Sequence, residues 1–494
     1  MKSPLTIHLL QQNHYIKAML TIKTSLKSLI LLFLIFITFQ SCQDDDDISA
    51  PLKLEVQDFV WKGLNRFYLW QADVPNLDDN RFASQTQLNA FLKGYPNPSD
   101  LFDALLVDSS IDRFSWFIND YTVQEQAFQG TTKNNGIEFG LYLKPGGSTA
   151  VFGWVRYIIP NSDAATKDIK RGDIFYAVDG IPLTTSNYQS LLYSSKENYT
   201  LEFADYNNAT FTPNGKSIAF TKTVLNENPI LINKVIETGS HKIGYLMYNG
   251  FYSSYDTKLN EAFGTLKTQG ITDLVLDLRY NPGGAVHSAT RLASMITGQL
   301  TGKVFSKLEY NEKLKSKNTN YLFTNKIGDN AINSLNLTKV YILTTTGTAS
   351  ASELIINGLR PHINVVHIGD LTAGKNVASI TVYDSQDFSA TNRNPNHRYA
   401  MQPIVAKSVN AIGFGEYTNG LIPDFSLNES LGNPDVLGSA TEPMLSAAIG
   451  KITGTGKMIQ TNKGVGFKFL SDSKTIRGQN EMHIEEIPED LLKN

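Results

Sequence analysis

The chain has 494 residues, long for a single hydrophobic core, and two to four domains are expected. Its 41% hydrophobic and 18% charged residues suit folded globular protein rather than disorder, and a net charge of −3 argues for no nucleic-acid partner. One cysteine, Cys42, excludes an intrachain disulfide and a cysteine-rich metal site, and neither metal nor cofactor is expected.

Lys17, Lys23 and Lys27 precede an apolar run over 29–39, and Gln40-Ser41-Cys42 follows. This is the order of a secretory signal. The run is shorter than the ~20 apolar residues of a membrane-spanning helix. Met19 is an alternative start to Met1, because residues 1–18 add nothing the signal requires. A cysteine after a small residue resembles the lipobox of bacterial lipoproteins, with Phe39 standing where leucine is usual. The resemblance implies a signal over 1–41, removed, and a lipidated Cys42. An ordinary cleaved signal with an incidental cysteine is the competing reading. Gln43 and the acidic run 44–47 read as a solvated tether over 42–51. They also resemble the surface-export signal of Bacteroidetes lipoproteins. The implied place is the cell envelope, lipid-anchored in the outer membrane and periplasmic or surface-exposed.

Residues 52–125 read as a helical domain. Val56, Phe59, Val60, Leu64 and Phe67-Tyr68 recur at helical spacing, 87–92 forms a second segment, and Ser99-Asp100 caps a third over 101–107. Nothing in this region reads as chemistry.

Over 130–228 the pattern is β. Gly136-Ile137-Glu138-Phe139-Gly140 precedes a strand over 150–159, then small residues around Ser162-Asp163-Ala164-Ala165, a Gly172-Asp173 turn and a strand ending in Asp179-Gly180. This order resembles a PDZ domain, in which a small-residue helix precedes the Gly-Asp turn. The resemblance implies that an extended peptide adds a strand at the sheet edge, with its C-terminal carboxylate held near Gly136, Ile137, Glu138, Phe139 and Gly140. A small β domain that only packs on its neighbour is the alternative.

Residues 229–449 read as α/β with βαβ units. The strand-like run Val340-Tyr341-Ile342-Leu343-Thr344-Thr345, a helix-like run over 354–360 and a second β-rich run, Val365-Val366-His367-Ile368-Gly369, make one crossover. A crossover puts both strand ends on one sheet edge. Ser350 follows the first strand and Lys375 the second. If Asp273-Leu274-Val275-Leu276-Asp277 joins the same sheet, the Gly283-Gly284 turn arrives there too. A serine, a lysine and turn N–H groups are the parts of an acyl-transfer site.

The order Asn281-Pro282-Gly283-Gly284, Thr348-Ala349-Ser350-Ala351-Ser352-Glu353, Gly374-Lys375 and Gly420-Leu421-Ile422-Pro423-Asp424 resembles the C-terminal processing peptidases, the S41 serine proteases. The resemblance covers roughly 52–449. It implies Ser350 as nucleophile, Lys375 as base, and oxyanion donors at Gly283, Gly284 and Ala351. Extended protein or peptide chains would be the substrates. Glutamine often stands four residues after the family's lysine; Ser379 is here, and its hydroxyl is expected to orient the base. Glu353 is read as a capping or orienting carboxylate, and Asp277 and Arg279 as sheet braces. His287, near the glycine turn, leaves a Ser-His site as a minor alternative. A catalytically silent peptide-binding lipoprotein is the alternative function. The tail, 450–494, shows no chemical motif, and 465–470 reads as a strand.

Stable anchoring takes two signals, because one acyl chain alone binds reversibly. Cys42→Ala should therefore move the chain from the detergent phase to the aqueous phase in a phase-separation assay. A variant that stays wholly with the membranes rules out lipidation at this residue.

Overall fold

The computed structural model describes residues 51–144, 148–207, 210–432, 434–455, 467–474, 482–485 and 491. The signal, Cys42 and the tether up to residue 50 lie outside the described residues. Two compact units form, one from residues 51–58 and 79–96, the other from 59–78 and from 97 onward.

In the smaller unit Ser84 accepts the Gln87 N–H and caps the helix Gln85–Leu92. Gln57 donates to the Tyr95 carbonyl, and Gln85 donates to Asp58. Phe91 packs against both Phe82 and Tyr95.

The helix Glu55–Phe67 carries the chain into the larger unit and buries Phe59, Val60, Leu64 and Phe67, as its spacing predicts. The helix expected over 101–107 begins earlier, at Pro98–Ala104, with Asn97 as its N-cap. Proline suits that first helical position because its missing N–H has no partner there. The region read as helical also holds a strand, Trp116–Ile118, antiparallel to Ala400–Gln402. Aromatic and β-branched residues favour extended chain there, and a partner so distant in sequence leaves no local signal.

A six-stranded sheet carries the site. Its order is Ile230–Thr238, His241–Tyr248, Asp273–Asp277, Lys339–Thr344, Asn364–Gly369 and Phe425–Ser426, with only the first pair antiparallel. The central strands are buried almost throughout, which matches their continuous apolar runs. Asp277 pairs with Leu343 and Thr344 with Gly369, so three parallel strands end in register. The loops to Gly283, Ser350 and Lys375 leave from that shared edge.

A buried charge network fixes the first of these loops. Arg279 is fully buried and donates to Asp277, to both oxygens of Glu442 at 2.8 and 3.0 Å, and to Glu429. Glu442 also caps the helix Pro443–Thr453 through the Leu445 N–H. Asp277 and Arg279 thus brace the sheet end.

The β region forms a second, antiparallel sheet. Its order is Lys468–Asp472, Ile137–Leu143, Val151–Ile158, Ile174–Val178, Asn198–Asn207 and Thr210–Thr221, with Ile181–Pro182 beside Ile174–Val178. Phe139, Leu141, Val155, Phe175, Leu201 and Phe203 belong to its core. Asp179 and Gly180 both have positive φ, 50° and 78°, the conformation of a two-residue hairpin turn. The small-residue stretch expected to be helical forms only the 3₁₀ turn Ala164–Thr166. Asn161, at φ 61°, breaks the chain before it, and Lys167 is already extended. The strand expected over 465–470 is observed at Lys468–Asp472, with 465 and 466 outside the described residues.

Arg279→Met should lower stability by about 3–5 kcal/mol, since it leaves two carboxylates buried beside an uncharged side chain. Urea unfolding measures this. A loss under about 1 kcal/mol contradicts the bracing role.

Candidate active site

Ser350 sits on a sharp turn between the strand Lys339–Thr344 and the helix Ala351–Leu359. Its φ of 65° and ψ of −117° are unfavourable for a residue with a Cβ. Such strain, of order 1–3 kcal/mol, persists only where surrounding bonds impose it. Those bonds run to the neighbouring loop. Thr348 Oγ1 donates to the Leu278 carbonyl at 2.9 Å, Ala349 N to Asn281 O at 3.2 Å, Ser352 Oγ to the same carbonyl at 3.1 Å, and Thr345 Oγ1 to Arg279 O. The Ser350 hydroxyl is buried and makes no hydrogen bond of its own.

Glycine is required opposite it. Gly283 has φ 115°, and a Cβ there would come within 2.5 Å of Ser350 Cβ. Asn281 holds the turn, donating to Tyr248 O and accepting the Gly283 N–H at 2.9 Å. The Gly283 amide is therefore already engaged. This narrows the expectation of oxyanion donors at the turn to Gly284, with Ala351 heading the helix whose N-terminal dipole favours negative charge.

Glu353 joins the two halves of the site. One oxygen accepts the N–H groups of both Ser350 and Lys375, each at 2.8 Å. Those nitrogens are thus no more than twice 2.8 Å apart. The other oxygen accepts Gly374 N at 2.7 Å and the Thr372 hydroxyl. Burial raises this carboxyl's pKa above its usual value, while the Thr372 hydroxyl and the three amides act to lower it. Glu353 was expected to cap the helix; it also seats the lysine loop.

Lys375 is 1% exposed. Its ammonium nitrogen lies 4.7 Å from the centre of the Phe114 ring. Burial pushes its pKa well below the ordinary lysine value, Arg113 adds to this, and Asp112 and Glu353 oppose it. Arg113 also donates to Gly374 O at 2.9 Å and Thr418 O at 3.0 Å, holding the loop from outside. Asp112, Arg113 and Phe114 come from the stretch read as carrying no chemistry. No local signal marks them, because their role depends on a loop far along the chain.

Three expectations are revised. Ser379 does not serve to orient the lysine: its hydroxyl donates to Met482 O at 3.2 Å and accepts from Gln402 at 3.0 Å. His287 packs its ring edge-on to Tyr321, 5.0 Å between centroids, and makes no hydrogen bond to the Ser350 hydroxyl. The run Gly136, Ile137, Glu138, Phe139, Gly140 does not present a carboxylate cradle. Asn134 and Asn135 accept the Gly136 and Ile137 N–H groups at 2.7 and 3.0 Å, and Ser473 Oγ accepts that of Phe139. The buried Glu138 side chain would also repel a carboxylate there.

Residues 242–400 match the family model described as Peptidase family S41, and residues 55–116 match Peptidase S41 N-terminal domain. The chain carries the domains of peptidase family S41. Over 297 residues it is 23% identical to a carboxyl-terminal-processing protease of a Picosynechococcus species, covering 60% of this chain and 65% of that one. Over 140 residues it is 31% identical to a "Probable CtpA-like serine protease" of Staphylococcus aureus, covering 28% and 26%. The matches thus span less than two thirds of these relatives' own length. The solved structure of a candidate S41 protease from Bacteroides fragilis aligns over 81% of this chain and 98% of its own, at 25% identity and a TM-score of 0.63.

A depressed lysine pKa has a stability consequence. Between the folded and unfolded pKa values the unfolded chain binds the extra proton, so stability rises with pH across that window. Lys375→Met removes the titrating group and should raise the melting temperature at pH 7, with a flatter pH profile. A variant that melts below wild type would show that Lys375 is not buried at a cost.

Proposed function

We propose that this chain is a serine endopeptidase in which Ser350 is the nucleophile and Lys375 the general base. The observation that carries the reading is a lysine buried in a low-pKa environment and tied, through one Glu353 oxygen, to a serine on a strained turn. A serine hydroxyl is a weak nucleophile until a base takes its proton. A neutral lysine amine supplies that base; an ammonium has no lone pair to do so.

As Ser350 Oγ attacks the substrate carbonyl, its proton passes to Lys375 Nζ. The new oxyanion takes hydrogen bonds from Gly284 N–H and Ala351 N–H. The lysine then protonates the departing amine, which leaves an acyl-enzyme. Water, deprotonated by the same lysine, hydrolyses the ester and restores the serine. Glu353 and Asn281 position these groups without touching the reacting atoms.

Extended or unfolded protein chains are the substrates we propose. They would engage the edge of the strand Ile137–Leu143 by strand addition, as PDZ-like modules do. The engaged side chains and amides there favour an internal segment over a chain terminus. The lipid anchor at Cys42 would place this activity at the cell envelope. A silent peptide-binding protein remains the second reading, because a β edge that takes a strand serves either role.

Labelling with a serine-reactive fluorophosphonate tests the choice. Ser350→Ala should abolish labelling and hydrolysis of unfolded casein. Lys375→Ala and Lys375→Arg should each lower both at least ~10²-fold, since general-base loss typically costs that much and arginine stays protonated. Labelling should increase with pH as Lys375 loses its proton, and Ser379→Ala should change it little. A Lys375→Ala chain that labels at the wild-type rate would falsify the dyad.

A further inference from the structure

The tail read as lacking chemistry touches both surfaces of the proposed reaction. Lys468–Asp472 adds to the edge of Ile137–Leu143, antiparallel, with Phe469 opposite Tyr142 and Asp472 opposite Gly140. Ser473 N donates to Phe139 O at 3.0 Å, and Ser473 Oγ donates to Glu138 at 2.6 Å. Farther along, residues 482–484 lie between the glycine turn and the strand after Lys375. His483 N donates to Gly284 O and Val286 N to His483 O; Ser379 N donates to Met482 O and Ile484 N to Ser379 O, all between 2.9 and 3.2 Å. These are backbone bonds on both flanks, the way an extended polypeptide is held in a cleft.

The side chains make this strand selective. Asp472 pairs with Arg156 at 2.9 Å, each about 5% exposed. Lys474 is 2% exposed, and its ammonium donates to Glu227 at 3.1 Å and to Asn249 O at 2.6 Å. Glu227 in turn accepts the Tyr157 hydroxyl at 2.7 Å, and the buried Glu138 lies close enough to raise its pKa. A buried carboxylate and a backbone carbonyl that accept from one ammonium form a pocket for a cationic side chain. An ordinary edge strand needs no such pocket.

We infer that residues 467–474 and 482–485 are an internal occupant of the polypeptide track, which runs from the edge of Ile137–Leu143 to the cleft between Gly284 and Ser379. An incoming chain must displace them, and the pocket of Glu227 and the Asn249 carbonyl selects a basic residue two positions after an acidic one. The inference rests on the proposed function for the identity of the cleft, but not for the occupancy of the edge.

Two measurements test it separately from catalysis. In the first, a fluorescein-labelled peptide of residues 467–485 is added to the full-length chain carrying Ser350→Ala and Ser473→Pro, whose own tail is loosened, and anisotropy is read. Micromolar binding is expected, at least ten-fold weaker for the Lys474→Glu peptide. In the second, fluorophosphonate labelling of Ser350 is timed in the full chain. Lys474→Glu and Ser473→Pro, which loosen the occupant, should each label at least three-fold faster than wild type while far-UV circular dichroism shows the rest of the chain folded. No peptide binding to the folded full-length variant overturns the inference. So do tail variants that label no faster than wild type; the tail is then a structural strand only. If no chain labels at all, the proposed activity fails and the anisotropy result alone decides the occupancy.

Discussion

The Glu353 carboxylate is the constraint on which the site depends. A serine on a strained turn and a lysine in a buried loop belong to different segments, and each is unfavourable where it stands. Glu353 accepts an amide from each on one oxygen and two further donors of the lysine loop on the other. Losing a buried carboxylate with four donors would leave those donors unsatisfied at about 1–3 kcal/mol apiece. The arrangement therefore locks the relative position of Ser350 and Lys375 more firmly than their own side chains do. Their chemistry is left to the low-polarity pocket that Phe114 helps to close.

Three loops meet at the site because three parallel strands end in register. The sheet brings them to one edge, and the buried Arg279 network keeps the first loop from shifting. The turn at Asn281 is shared between both systems: its backbone carbonyl holds the Ser350 turn while its side chain holds Gly283. Stability and reactivity are thus coupled at this edge. A bracing network in the sheet supports a strained serine and a desolvated base, both of which lower stability where they sit.

Much of this was legible from local pattern. The βαβ unit around Ser350 follows from β-rich runs flanking a helical one, and the juxtaposition of Ser350 with Lys375 follows from parallel strand ends. What local pattern could not show is long-range. Phe114 and Arg113 reach the lysine loop from a stretch that reads as helical, and Trp116–Ile118 finds its partner near residue 400. The glycine-rich run at Gly136 looked like a carboxylate cradle because glycine marks permissive backbone; the asparagines that fill it stand two residues before each amide they accept. Ser379 looked like an orienting group by spacing alone, yet its partners Gln402 and Met482 come from distant parts of the chain. The tail showed no motif because its meaning lies in the edge and cleft it occupies.

The protonation state of Lys375 is the most direct test of the account. Nitrogen-detected NMR of the lysine side chains, with Lys375→Met used for assignment, reads the ammonium-to-amine transition residue by residue. The Lys375 amine should titrate well below the ordinary lysine value of 10.5. A Lys375 signal that keeps its proton up to the same pH as the exposed lysines would contradict the proposed base.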